Sequence, residues 1–302
     1  VAKAIRGLAK SWGHTSPSAV LAPQVVMDQT WKKASHELFK AMIPNGTPEF
    51  WNSYDEVVVV PAGMFWYLPF ETMALGAEPD SQILIDKVAV RYSPSLNLAF
   101  SEQRPKRLQR AVLYPGKIDL RDETDWTTNT TTAMRQAWPQ LTTIEASRVP
   151  TQGVGTLVNA MIYLNEIKQP LWPAPWTVAD TKKDSHLQLD LDRWVGYPNI
   201  GPEFLYVAGG NSAIVDGLKR NYFGDELEFY STLLMASGCQ SMVLPRWRPG
   251  GHVPYDLPVA VLKRLSESTT AVAMREAILE IRQAPLDLAR QTRLRSSRGE
   301  AP

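Results

Sequence analysis

Short apolar runs alternate along most of this chain with amphipathic stretches and turn residues, a pattern that predicts strands threaded between helices. Glu56-Val57-Val58-Val59-Val60, closed by Pro61-Ala62-Gly63, is a β-branched run of the kind that suits a strand buried on both faces of a parallel sheet. Lys87–Tyr92, Arg110–Tyr114, Thr142–Ala146, Met161–Leu164, Ser185–Leu189, Phe204–Val207 and Ser241–Leu244 repeat the theme. Helical spacing marks residues 1–50, where Val25, Val26, Trp31, Leu38 and Phe39 recur between charged positions, and it returns over Thr130–Ala137 and Thr151–Ala160. Asp225–Ser237 carries Leu227, Tyr230, Leu233 and Leu234 at three- and four-residue intervals, and two further helices are expected over Tyr255–Glu267 and Thr270–Gln283. Ser93-Pro94-Ser95 opens a helix at Leu96, because a serine cap and an early proline both suit a helix start. Together these elements predict an α/β fold: a three-layer α/β/α sandwich around a mainly parallel central sheet. The expected organisation is an N-terminal helical segment over 1–50, an α/β domain over 51–285 and a flexible basic tail over 286–302.

Composition narrows the picture. Of 302 residues, 44% are hydrophobic and 21% charged, which is enough apolar material for a large core. Net charge is +1, from 32 basic and 31 acidic residues, so the overall excess of positive charge expected of a nucleic-acid binder is missing. Arg290, Arg293, Arg295 and Arg298 gather in the tail, where a solvated face is the simplest reading. A single cysteine, Cys239, excludes an internal disulfide framework. The four histidines, His14, His36, His186 and His252, lie too far apart in sequence to suggest zinc-ligand spacing, and no cofactor is expected. The most apolar run, Val57 to Phe70, contains Pro61 and Pro69 and is too short to span a bilayer. With no signal-peptide pattern at the N-terminus, the expected location is cytoplasmic, and a start at Val1 is compatible with a piece of a longer polypeptide.

Three local patterns, in order, resemble one family. Val57-Val58-Val59-Val60-Pro61-Ala62-Gly63-Met64-Phe65-Trp66-Tyr67-Leu68-Pro69-Phe70-Glu71 is similar to a strand followed by Pro-Asp-Gly and Tyr-Leu-Pro-Phe-Glu in CHAT domains. Val90-Arg91-Tyr92-Ser93-Pro94-Ser95-Leu96 is similar to that family's strand ending in Tyr-x-Pro-Ser. Leu233 to Trp247, with Ala236-Ser237-Gly238-Cys239-Gln240-Ser241-Met242-Val243, resembles its closing helix-to-strand unit, and the resemblance runs over about residues 25–285. It implies a caspase-like fold of the cysteine-peptidase clan. It also implies a setting inside larger bacterial intracellular proteins or complexes, beside helical repeats such as tetratricopeptide repeats, in regulated proteolysis or defence.

Active members of that family carry a histidine after one core strand and a cysteine after the next, so that thiolate and imidazole meet at neighbouring strand ends. By that resemblance the histidine position falls near Ile167, give or take a few residues, and the cysteine position on Gly210 or an immediate neighbour; neither isoleucine nor glycine can transfer a proton or attack a carbonyl. The chain therefore reads as a degenerate member, a pseudo-peptidase module for protein interaction, scaffolding or regulation. Weak substitutes are Cys239, which also reads as a buried small hydrophobe, and His252, in a loop after Pro249-Gly250-Gly251. Ser212 also stands near the vacated position, with a helix cap as its simpler role. An active peptidase with a displaced dyad is thus one alternative. Another is a nucleotide-binding domain in which Gly209 and Gly210, following a strand, cradle a phosphate. The full dinucleotide fingerprint is absent, since Gly217 is too distant to serve as its third glycine. Candidate binding residues are Gly209, Gly210 and Asn211 at the vacated cleft, with Trp172 and Trp176 in the stiff stretch Pro170–Trp176. Those tryptophans either anchor a protein or peptide partner at low entropic cost or fold back to fill the cleft.

Overall fold

A computed structural model describes residues 2–11, 29–100, 110–115, 126–144, 158–169, 177–178, 202–212, 224–246 and 253–284. The chain divides into two compact units, one formed by Val1–Phe100 with Ala213–Glu228, the other by Ser101–Ser212 with Phe229–Pro302. The expected boundary at residue 50 falls inside the first unit, and the 286–302 tail lies outside the described residues.

The first unit holds helices Ala2–Ser11, Trp31–Met42 and Pro48–Trp51 and the parallel pair β1 (Glu56–Val59) and β2 (Ala89–Tyr92). The sequence pattern predicted a strand buried on both faces at Val57–Val60. β1 is instead half-buried throughout and, among the described residues, pairs with β2 alone in a two-stranded sheet. Its β-branched residues favour extension, but one neighbour cannot cover both faces of so small a sheet.

The two N-terminal motifs are joined through Tyr92. Its phenol oxygen accepts a hydrogen bond from the Phe70 amide at 2.7 Å and donates to the Glu71 carboxylate, tying Leu-Pro-Phe-Glu to the end of β2. Leu68 and Phe70 are buried. Arg91 donates to Glu56 across the pair at 2.8 Å and to the carbonyl of Ala99 at 3.1 Å. Ser95 caps the short Leu96–Ala99 helix by accepting from the Leu98 amide, as the sequence suggested. Gly224 has φ +79 and packs so closely that a Cβ there would lie 2.8 Å from both the Gly63 carbonyl oxygen and the Trp66 Cβ. Its amide donates to the Tyr67 hydroxyl at 3.2 Å.

The second unit is built on a six-stranded sheet. β3 (Ala111–Pro115), β4 (Thr142–Thr143), β5 (Ala160–Gln169), β7 (Phe204–Ser212) and β8 (Ser241–Val243) are mutually parallel in the order β4-β3-β5-β7-β8, and β6 (Thr177–Val178) pairs antiparallel with β5. The switch point, where successive strands leave in opposite directions, lies between β3 and β5. Because side chains alternate across a sheet, Ala111, Leu113, Ile162, Leu164, Phe204 and Tyr206 share one face. There they form a core with Tyr255, Val261 and Leu262 of the Val253–Leu262 helix and Ala273 and Ala277 of the Thr270–Gln283 helix. Met134 of the Trp126–Ala137 helix joins the same core. The alternate residues Val112, Tyr114, Met161, Tyr163, Leu205 and Val207 are buried as well. A sheet buried on both faces has to be covered on both, as in the predicted three-layer α/β/α arrangement. The chain is α/β with mainly parallel sheets.

Thr269 caps the last helix through the Val272 amide, and Thr270 starts it where the spacing placed it. The helix predicted over Thr151–Ala160 lies largely outside the described residues, but its last position, Ala160, begins β5. The strand expected at Ser185–Leu189 lies wholly outside them.

Candidate functional site

β5 and β7 are adjacent and parallel, and both run well past the ends predicted for them. Met161–Leu164 was the expected extent of the first and Phe204–Val207 of the second; the strands end at Gln169 and Ser212. Gly209, Gly210 and Asn211 are therefore strand residues, paired with Glu166, Ile167 and Lys168 in turn. The expectation that Gly209 and Gly210 follow the strand is corrected. Flanking glycines suggested a break, but pairing along β5 compensates for their weak intrinsic preference for extension. A phosphate cradle needs successive amides to converge from a loop onto a helix start, and an extended ladder does not provide that arrangement.

Ile167 stands directly opposite Gly210 in the ladder. The two residues near which the resemblance would put a base and a nucleophile are thus register partners on neighbouring strands. The register comes from an irregularity. Tyr163 pairs with Val207, but Glu166 pairs with Gly209, so Leu164 and Asn165 together oppose Ala208. Without this bulge, the offset that matches Tyr163 to Val207 would bring Glu166 opposite Gly210. Bulges bend and re-aim a strand and are common beside functional sites. Asn165 is 6% exposed.

On its other edge β5 follows β3 from Ala160 to Leu164, opposite Pro115, and then meets β6 at Ile167 and Lys168. Proline lacks an amide proton and ends β3 there. Trp176 immediately precedes β6, but Trp172, Trp176 and the rest of the Pro170–Trp176 connection lie outside the described residues.

Near the switch point Tyr114 and Tyr163 stack with ring centroids 4.6 Å apart and planes 9° from parallel. Burial raises both phenol pKa values, and the neighbouring Tyr114 raises that of Tyr163 further. Among the described residues the Tyr114 hydroxyl is buried without a hydrogen-bond partner.

Cys239 lies between the Asp225–Ala236 helix and β8, 3% exposed. Its Sγ donates to the Ser241 carbonyl at 3.2 Å. Desolvation pushes the thiol up to about 12, and backbone hydrogen bonds at Ser241 and Leu205 offset only part of that rise. A thiol in this state is a donor inside the fold rather than a nucleophile. One step along, the Ser241 and Thr270 hydroxyls meet at 2.6 Å, both buried. His252 and His186 lie outside the described residues, and His36 sits in the first unit with Nδ1 3.2 Å from the Ala74 carbonyl oxygen. No cluster of three or more potential metal-ligating residues occurs among the described residues, and no described helix is long and apolar enough to cross a membrane.

The structure thus brings Ile167 and Gly210 together and leaves Cys239 enclosed. Sequence reasoning missed the bulge, the tyrosine stack and the Ser241–Thr270 pair. Of these only Asn165 left a trace, as a polar residue at the end of the run Met161–Leu164. No protein-family model matches the chain, and no curated protein matches it.

Proposed function

We propose that this chain is a non-catalytic, CHAT-like module that serves protein interaction, scaffolding or regulation within a larger cytoplasmic bacterial assembly. The observation that supports this reading is the pairing of Ile167 with Gly210, the residues near which the resemblance would put the histidine and the cysteine. Isoleucine has no titratable group and glycine no side chain, so neither general-base nor nucleophilic chemistry is available from them. The enclosed, high-pKa thiol of Cys239 supports the same reading, because a displaced nucleophile needs access and a thiolate. The partner is a protein or peptide, with subunits containing tetratricopeptide repeats as the first to try. The contact surface proposed is the strand end at Gly209, Gly210 and Asn211 together with Trp172 and Trp176.

Two measurements test this. The first is hydrolysis of a panel of fluorogenic peptides at pH 6 to 9. No turnover above buffer is expected, and turnover abolished by Cys239→Ala would sink the reading. The second is tryptophan emission during titration with candidate repeat-containing subunits. It should change in the native chain and change less in Trp172→Phe with Trp176→Phe; an unchanged response would remove the tryptophans from the surface.

A further inference from the structure

In the first unit, residues 48–54 set the rings of Phe50, Trp51 and Tyr54 against one another. Trp51 is buried, with its indole N–H donating to the Gly46 carbonyl at 3.2 Å and its ring centroid 5.9 Å from that of Phe39. Fixed in that way, it backs Phe50 edge-on at 4.9 Å and Tyr54 at 6.4 Å. Phe50 and Tyr54 also touch each other, with centroids 5.3 Å apart, yet they remain 38% and 49% exposed. Adjoining rings held open to water by a buried neighbour make a contact surface rather than scattered apolar residues. The local charge is negative: residues 41–60 contain Glu49, Asp55 and Glu56 and no lysine or arginine. Two of these carboxylates are engaged. Glu56 pairs with Arg91 at 2.8 Å. Glu49 is held below the usual carboxylate range by its own backbone hydrogen bond, then by Thr47 and by Lys87. Asp55 is exposed directly after Tyr54, and no described residue pairs with its carboxylate.

We infer that Phe50, Tyr54 and Asp55 form a seat for an arginine side chain on an exposed segment of a partner protein. The ring separations decide the shape of the cation. Centroids 4.9–6.4 Å apart put the rings in contact, leaving no gap between them that could enclose a rounded ammonium group. An outer ring face remains. A planar guanidinium stacks flat on such a face while its N–H fork turns to a neighbouring carboxylate. Lysine carries a strongly hydrated point charge with no plane to stack. An exposed aromatic contact and an exposed ion pair are each modest, so the seat selects an arginine within a longer contact rather than holding it alone. The inference stands on the first unit by itself and is independent of whether the strand ends at Ile167 and Gly210 are catalytic.

The probe is acetyl-Gly-Arg-Gly-amide, titrated into the full chain with isotope-labelled aromatic rings. The same peptide carrying lysine, or the neutral isostere citrulline, is titrated alongside. The expected dissociation constant is on the order of tens of millimolar, with shifts of the Phe50 and Tyr54 ring resonances and binding that weakens as salt is added. Affinity should fall about threefold in Tyr54→Leu, which keeps an apolar surface without a ring, and about threefold in Asp55→Asn, which keeps the shape without the charge. Both positions are exposed, so neither change threatens the fold. The citrulline and lysine peptides should each bind more weakly than the arginine one. Equal binding of either overturns the inference. So does arginine binding that both variants leave unchanged, or rings that do not shift at about 100 mM peptide.

Discussion

Cys239 offers the most direct test, because it is the only thiol in the chain and any labelling reports on it alone. The perturbation is a thiol-reactive maleimide or disulfide reagent applied to native protein across a pH series. At pH 8 an ordinary cysteine, with a pKa near 8.5, is roughly one quarter thiolate. A thiol pushed up to about 12 is ionised to about one part in ten thousand at the same pH. The difference is about three orders of magnitude in reactive species before access is considered, and enclosure at 3% exposure slows the reaction further. Native protein should therefore label at least about a thousandfold more slowly than protein in guanidinium chloride, with no plateau near pH 8.5. The same shift makes folding pH-dependent. In the unfolded chain the thiol ionises from about pH 8.5, while in the folded chain it stays protonated until about 12. Stability from this group is thus fully present below pH 8.5 and is lost as pH rises to 12, at about 1.4 kcal/mol per pH unit. The buried phenols of Tyr114, Tyr163 and Tyr206, all raised by desolvation, add to that loss above pH 10. Rapid labelling of the native protein with an ordinary or lowered thiol pKa would refute the reasoning and revive Cys239 as a nucleophile.

Three other outcomes follow from packing and are read by denaturant or thermal unfolding. Gly224→Ala should destabilise the first unit by about 2–4 kcal/mol, combining a left-handed backbone with overpacking against Gly63 and Trp66; an unchanged midpoint would mean that the close approach relaxes freely. Tyr114→Phe should leave stability unchanged or raise it by about 1 kcal/mol, because the hydroxyl removed is buried and has no partner among the described residues. A loss of more than about 1 kcal/mol would show that the hydroxyl is satisfied in solution. Ser241→Ala and Thr270→Val should each cost about 1–3 kcal/mol by leaving a buried hydroxyl alone, and the double variant should cost less than their sum; strict additivity would deny the contact.

Strand and helix identities were legible where one local signal dominated. The Thr270–Gln283 helix has an amphipathic period and a threonine cap, and its predicted limits match those observed. β3, β5 and β7 were recognisable as buried strands because apolar residues occupy successive positions on both faces. Their lengths were not legible. Glu166-Ile167-Lys168 and Gly209-Gly210-Asn211 lack the apolar run that marks a core strand, and they become strand only by pairing with each other. Strand extension of this kind is a property of two segments about forty residues apart, and no window along one of them contains it. β1 failed for the opposite reason: four consecutive residues with strong extended preference predicted a central strand, but that preference does not say how many neighbours a strand will have.

The same distinction applies to the candidate site. That Ile167 and Gly210 cannot perform acid–base or nucleophilic chemistry follows from residue type alone. Whether they stand together depends on register, and register here depends on a single extra residue. The offset is 44 between Tyr163 and Val207 and 43 between Ile167 and Gly210, and the change is absorbed at Leu164 and Asn165. A strand with one face buried resists slipping by one residue, because every side chain would change faces. Removing Asn165 takes out that extra residue, so Leu164 alone would oppose Ala208 while Glu166 and Ile167 keep Gly209 and Gly210 as partners, and neither half of β5 has to slip. In the deletion variant and in the full-length chain alike, a short thiol-bridging reagent should therefore link Ile167→Cys to Gly210→Cys, with Cys239→Ala as background. Preferential bridging of Glu166→Cys to Gly210→Cys in the full-length chain would mean that the bulge does not set the register.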